Sequence, residues 1–387
     1  MVMIRGFRRP NGKVGIRNHL LLLPTVICAN QVVNRIEQKV PDSVAIPHQH
    51  GCSQVGLDKE QTHNVLVGMG KNPNVGAVLI VSLGCEVMDP VRIKKEIEET
   101  GKLVEWIDIQ DVGGSIKAIE KGTEIARKLS ISLQQMEDEP VALSELIIGV
   151  KCGGSDSTSG LCSNPALGKG ADQIIEHGGT IVMGETTEIM GAEHLLAERA
   201  VSKEVEKKLY HVIERFEKEI NRIGEDMRGG NPSPGNIAGG LSSIEEKSLG
   251  CISKAGTSPL LDVFDYAAPV PDENGFYFMD SPGNDIELVS GMAASGVQLV
   301  CFTTGRGTPT GNPIIPVIKI CGNGMMAKRM ADNIDIDVSS VLEGSKSLEE
   351  AGTDIFKEII EVASGKLTKA EILGHREFSI NRIGISL

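Results

Sequence analysis

Short apolar runs rich in branched side chains recur along the chain, and charged stretches with helical spacing separate them. The runs predict strands at 20–23, 44–47, 77–82, 104–107, 146–150, 180–184, 298–302 and 317–320. Between them the spacing predicts helices, most clearly at 90–99, 115–129, 190–223, 286–294 and 351–364. This alternation is that of parallel α/β layers. The polar segment "SLQQMEDEPVALSE" (132–145) interrupts the periodicity, so a boundary is placed there, between an N-terminal α/β domain at 1–138 and a second domain at 139–387.

Length agrees with two domains, because 387 residues exceed what one hydrophobic core usually organises. The net charge is −13, with 52 acidic against 39 basic residues, which argues against nucleic acid or an anionic membrane as partner. No apolar stretch has the length of about 18 residues needed to span a bilayer, and "MVMIRGFRRPNGK" lacks the core of a signal peptide, so a cytoplasmic protein is expected. Eight cysteines, at 28, 52, 85, 152, 162, 251, 301 and 321, form no CxxC pair and are expected to be reduced thiols. Aromatic residues make up only 3%, whereas glycine numbers 45, so turns and close backbone approaches weigh more than ring packing.

Chemistry-bearing residues gather just after the predicted strands, where parallel sheets bind ligands. "PHQHGCSQVG" follows the strand near 45, "SLGCE" the one near 80, "KCGGSDSTSG" the one near 148 and "GETTE" the one near 182. "FTTGRGTPTG" and "KICGNG" follow those near 300 and 318. Each alone is ordinary turn chemistry; six in succession point to a site. The glycine loops match neither a Walker motif nor GxGxxG, the cysteine spacing fits no paired-cysteine zinc site, and "GGSDS" lacks the closing glycine of a nucleophile elbow. What remains is a mixed His/Cys/carboxylate set suited to a divalent metal such as iron(II) or manganese(II).

Six motifs carry a resemblance: "RPNGKVGIRN" (9–18), "HQHGC" (48–52), "GCE" (84–86), "KCGGSDSTSGLCSNPALG" (151–168), "NPSPGNIAGGLSSIEEKSLG" (231–250) and "FTTGRGTPTGNPIIPVIKICGN" (302–323). Together they resemble the altronate/galactarate dehydratase family. The resemblance implies a metal-assisted, iron-stimulated lyase acting on a small hydroxy acid, a homo-oligomer with a dimerising first domain, and a Rossmann-like second domain holding the metal. Single-chain members carry a small β-rich domain ahead of the first motif. Its counterpart here is expected to be a separate small β-rich, SAF-like subunit, as in two-subunit altronate dehydratases and in sulfolactate sulfo-lyase. Both reactions remove the proton beside a carboxylate and expel a group from the neighbouring carbon, water in one and sulfite in the other. Charge builds on the carboxylate as the proton leaves, and a cation and fixed donors stabilise it.

Under that reading Cys152, Asp156, Glu188, His194, His48 and Cys52 are candidate metal ligands, and Lys247, Glu185 and His50 candidate catalytic groups. Ser155, Asn164, Thr304, Arg306 and Asn323 are candidate substrate contacts, Arg306 through a two-pronged bond to a carboxylate or sulfonate. A helix starting near Thr187 would put His194 almost two turns on, roughly on the face of Glu188. Plainer readings stand beside these: a buried thiol and a capping aspartate for Cys152 and Asp156, a solvated helix start for the glutamates, a subunit interface for the histidines, and an exposed charged helix for Lys247. A subunit that binds sugar acids without turning them over is the non-enzymatic alternative.

Overall fold

The computed structural model describes residues 2–226 and 231–385. Two short strands, β1 (Met3–Arg8) and β2 (Val14–Gly15), lead into a parallel sheet of β3 (His19–Pro24), β4 (Ser43–Ala45), β5 (Val75–Ser82) and β6 (Leu103–Asp108), ordered β4-β3-β5-β6. β7 (Glu139–Ala142) then returns to pair antiparallel with β1, Met3 opposite Ala142. A second parallel sheet follows, of β8 (Ile147–Cys152), β9 (Thr180–Met183), β10 (Leu260–Phe264), β11 (Phe276–Met279), β12 (Leu299–Thr304), β13 (Val317–Cys321) and β14 (Ile336–Asp337). Its order is β10-β11-β9-β8-β12-β13-β14. The fold is the α/β class that the alternation predicts.

Burial explains why the strands were legible. Leu20 to Leu23 and Ala77 to Val81 are completely buried, because helices cover both faces of the sheet. Each fully buried Leu, Ile or Val side chain stabilises the fold by about 1.5–3 kcal/mol over leaving it in water. Six strands, β1, β2, β7, β10, β11 and β14, were not anticipated; β11 is buried throughout, but its run "FYFM" is aromatic and has no branched side chain. Edge strand β10 alternates buried Leu260 and Val263 with half-exposed Leu261, Asp262 and Phe264, and β14 has two residues.

The single helix expected over 190–223 is in fact two, Glu193–Ala197 and Lys203–Arg222. Between them Ala200 bridges to Leu260 of β10, and the Ser202 side chain accepts from Val205 N to start the second helix afresh. Helices Asn30–Glu37, Gly56–Lys71 and Asn164–Glu176 were not anticipated. The last opens on "NPALG", which reads as a loop until the sheet beneath it is known.

The two sheets share a core through helix Gly56–Lys71, whose Leu66 and Met69 join Val289, Met292 and Ala293 of helix Asp285–Ala294. Buried Asn72 donates to the carbonyls of Ala293 and Val297, and Asn74 to those of Gln298 and Ile314. The C-terminal segment returns across the first sheet: His50 Nε2 donates to Ile380 O, and Asp58 accepts from Ile383 N. No helix among the described residues is long and apolar enough to cross a membrane.

Candidate functional site

β8 lies at the centre of the large sheet. From it the chain passes to β9, jumps to the edge at β10, comes back to β11 between them, and re-enters on the other side of β8 at β12. The loops leaving β8 and β12 therefore part at a topological switch point, where parallel sheets open a crevice. Here they are stitched together: Gly153 N donates to Thr303 O at 3.0 Å, and Gly154 O accepts from Arg306 N at 2.9 Å.

Beside this crevice Cys152, Glu188 and Cys251 bring donor atoms within 4.8 Å of one another, all buried. Cys152 ends β8, and Glu188 closes a short turn, Thr186–Glu188, after β9. Cys251 arrives on helix Ile244–Ile252, which the Ser243 side chain caps at Glu246 N. That helix lies directly on the π-helical turn Ser159–Ser163, because both residues at the crossing are glycine: a Cβ on Gly250 would stand 2.7 Å from Gly160 Cα. Lys254, fully buried, donates to Glu188 Oε2 at 2.5 Å and to Cys251 O at 3.1 Å.

The electrostatics follow from this packing. Burial alone would raise the Glu188 carboxyl, but the charges of Lys254, Lys151 and Lys247 outweigh it and hold Glu188 ionised well below the usual carboxylate range. Cys251 hydrogen-bonds Cys152 and lowers the Cys152 thiol, while the same bond and burial push Cys251 well up. Ser155 Oγ, 2.9 Å from Cys152 Sγ, adds to the lowering. Cys152 is thus the first thiol of the pair to ionise.

A second buried cluster adjoins the first. Lys151 Nζ pairs with Glu185 Oε2 and lies 3.0 Å from Asp285 Oδ1. Glu185 takes a left-handed backbone (φ 71°), unusual for a residue with a side chain, and Ser281 Oγ accepts from its N–H at 2.6 Å.

The structure brings together Cys152 and Glu188 of the expected ligands and leaves the others outside that set. Asp156 accepts from Thr158 Oγ1, Ser159 N and Asn323 Nδ2, so its carboxylate anchors the loop. His194 is exposed on its short helix, because the chain turns at Gly191 instead of continuing a helix from Thr187. His48 has both ring nitrogens occupied, Nδ1 accepting from His50 N and Nε2 donating to Pro24 O, and burial lowers its pKa to about 4. His50 and Cys52 lie in the same loop of the first sheet, where Cys52 is exposed.

Among the expected substrate contacts, Arg306 is exposed and its guanidinium has no partner among the described residues. Buried Asn164 accepts from Thr303 Oγ1 at 2.5 Å and keeps Nδ2 without a partner among the described residues. Thr304 Oγ1 accepts from Gly307 N, and Asn323 caps the helix Gly324–Arg329 at Met326 N. Lys247 is half-buried, with a long 3.3 Å bond to Asn231 Oδ1. Three members of these buried clusters are not among the residues that the sequence singles out: Cys251, Lys254 and Lys151. Lys151 had a signal, a lysine that continues an apolar run in a strand covered on both faces. Cys251 and Lys254 had only their i, i+3 spacing.

Comparison with known proteins agrees along the whole chain. Residues 6–134 match the family described as D-galactarate dehydratase/altronate hydrolase, second domain, and residues 143–386 match D-galactarate/altronate dehydratase, C-terminal. The chain is 39% identical to (2R)-sulfolactate sulfo-lyase subunit beta of Chromohalobacter salexigens, covering 98% of this chain and 97% of that one. It is 37% identical to altronate dehydratase of Bacillus subtilis (99% and 78% covered) and 34% identical to galactarate dehydratase of Escherichia coli (93% and 72%). With likeness running through both sheets and through the loops that build the crevice, the chain belongs to the D-galactarate/altronate dehydratase family.

Proposed function

We propose that the chain is the large subunit of a metal-dependent hydro-lyase that removes water from a sugar acid such as altronate, leaving a 2-keto-3-deoxy acid. The observation that carries this reading is the buried Cys152–Glu188–Cys251 set at the switch point. Its chemistry fits a divalent ion. Two thiolates and a carboxylate are balanced in charge by one such ion together with the Lys254 ammonium, so a buried site ends neutral. The thiols favour iron(II) over manganese(II). An ion held by three protein donors has positions left for substrate oxygens and supplies Lewis acidity.

The chain's own residues supply binding and proton transfer. Arg306, without a side-chain partner among the described residues, takes the substrate carboxylate, and Asn164 Nδ2 offers a buried donor. Lys254 and Lys151 are locked against carboxylates, whereas Lys247 is only loosely held, which makes its Nζ the group best placed to exchange a proton with the substrate. Glu185, positioned by strain against Lys151, is the other candidate.

A second reading, release of sulfite from sulfolactate, is favoured by the nearly end-to-end match with a sulfo-lyase subunit. That relative's designation as subunit beta also supports a second subunit here; we read that partner as small and β-rich and the first domain as the dimerising part. The test is to strip metal from the chain, alone and with such a partner, restore iron(II), manganese(II) or magnesium(II), and supply altronate, galactarate or sulfolactate. Keto acid without sulfite supports the hydro-lyase, and pyruvate with sulfite selects the second reading. Full turnover by metal-free protein sinks the metal dependence.

A further inference from the structure

Eight thiols divide sharply by exposure. Cys152, Cys162, Cys251, Cys301 and Cys321 are buried, whereas Cys28, Cys52 and Cys85 are exposed. The exposed three do not scatter. Each follows the C-terminal end of one of three neighbouring parallel strands, Cys28 after β3, Cys52 after β4 and Cys85 after β5, and the sheet order β4-β3-β5 sets those ends side by side.

Backbone and side-chain bonds tie the three loops pairwise. Ile27 N, next to Cys28, donates to His50 O at 2.9 Å, and Gly51 O, next to Cys52, accepts from Val87 N at 3.0 Å. Glu86, next to Cys85, accepts from Thr25 Oγ1 at 2.5 Å and from the amides of Leu83 and Gly84, which clamps the Cys85 loop to the one carrying Cys28. Gly51 makes the closest approach: at φ +97° a Cβ there would stand 2.2 Å from Thr25 O. Fixing three loops this tightly does not require three solvent-facing thiols, which are otherwise an oxidation hazard.

Two further features mark the place as more than a turn cluster. A cavity of about 290 Å³, lined by Gly84, Glu86, Trp106 and Asp108 among others, adjoins Cys85. Buried His50, in the Cys52 loop, keeps Nδ1 without a partner among the described residues. The three thiols do not close on one another as the Cys152 set does. A single ion needs donors drawn tightly together, whereas a cluster of metal and sulfide spans more space and takes thiolates set farther apart.

We propose that Cys28, Cys52 and Cys85 hold a cubane-type iron–sulfur cluster on the first sheet, distinct from the mononuclear set at Cys152. Three thiolates bind three of its four irons and leave the fourth facing the cavity for an oxygen ligand. The inference rests on the geometry of the first sheet alone and stands or falls independently of the proposed lyase reaction.

The full chain, reconstituted without air with iron(III), a thiol that reduces part of it, and sulfide, is expected to take up acid-labile sulfide with at least as much iron and to show a broad visible absorption that dithionite bleaches. Cys28→Ser, Cys52→Ser and Cys85→Ser, each at an exposed position that leaves the core untouched, are each expected to lose most of the sulfide and the colour. The Cys152→Ser/Cys251→Ser double variant is expected to keep both. Iron without sulfide would overturn the cluster, and so would a Cys28→Ser/Cys52→Ser/Cys85→Ser variant that retains the parent's iron and sulfide.

Discussion

Arg306 stands between two glycines with its guanidinium unpaired among the described residues, so its charge contributes nothing visible to holding the loop. Replacing it by lysine keeps the charge and removes the planar fork that orients a carboxylate. Losing one charge-assisted contact costs about 1.5–3 kcal/mol, or about tenfold to a hundredfold in kcat/KM, with melting temperature unchanged. Kinetics and thermal unfolding on the same variant check this, and normal kinetics removes Arg306 from the site. Lys254 is the opposite case. It is fully buried against Glu188, and Lys254→Met strands a carboxylate in the interior at a cost of about 3–5 kcal/mol. Adding Glu188→Gln to that variant is expected to recover much of the loss in urea unfolding, because the stranded charge is then gone.

Helix Ile244–Ile252 illustrates how an element sets a site. It delivers Cys251 to Cys152 and Glu188 because Gly250 and Gly160 let two backbones touch. Gly250→Ala places a methyl against backbone that cannot yield, so a destabilisation of about 1–3 kcal/mol is expected. Iron(II) affinity, followed by equilibrium dialysis, is expected to fall with it, whereas Gly365→Ala, at a remote turn, leaves affinity unchanged. Elements of this kind were unevenly legible. Helix Pro90–Glu98 announced itself through Asp89, which caps Val91 and Arg92, and through the proline in its first turn. Helix Asn164–Glu176 did not, because its glycines serve contacts with partners distant in sequence.

At the scale of the whole molecule, Arg17 of the "RPNGKVGIRN" motif clamps the C-terminal part to the first sheet, pairing with Glu371 at 2.7 Å and donating to the carbonyls of Val362 and Lys366. Burial would raise the Glu371 carboxyl, but Arg17 outweighs it and holds it below the ordinary range. A carboxyl lowered in the folded state contributes stability above its unfolded pKa of about 4.3, and that contribution is lost as pH falls through the folded value. The stability gap between parent and Glu371→Gln is therefore expected to be largest near neutrality and to shrink below about pH 4, as thermal unfolding across pH will show. By itself the sequence determined the parallel layers, since strands buried on both faces must be apolar throughout, and it determined that the chemistry follows the strands, since loops and helix ends converge there. It singled out Cys152 and Glu188 on that ground. Only the tertiary structure decided their partners, Cys251 and Lys254, which reach them on a helix and the turn after it, more than sixty residues beyond Glu188. It alone decided that His194 turns to solvent and that Cys28, Cys52 and Cys85 share one rim. Local pattern records which face of an element is buried; which elements meet depends on strand order and close backbone contacts, and periodicity carries neither.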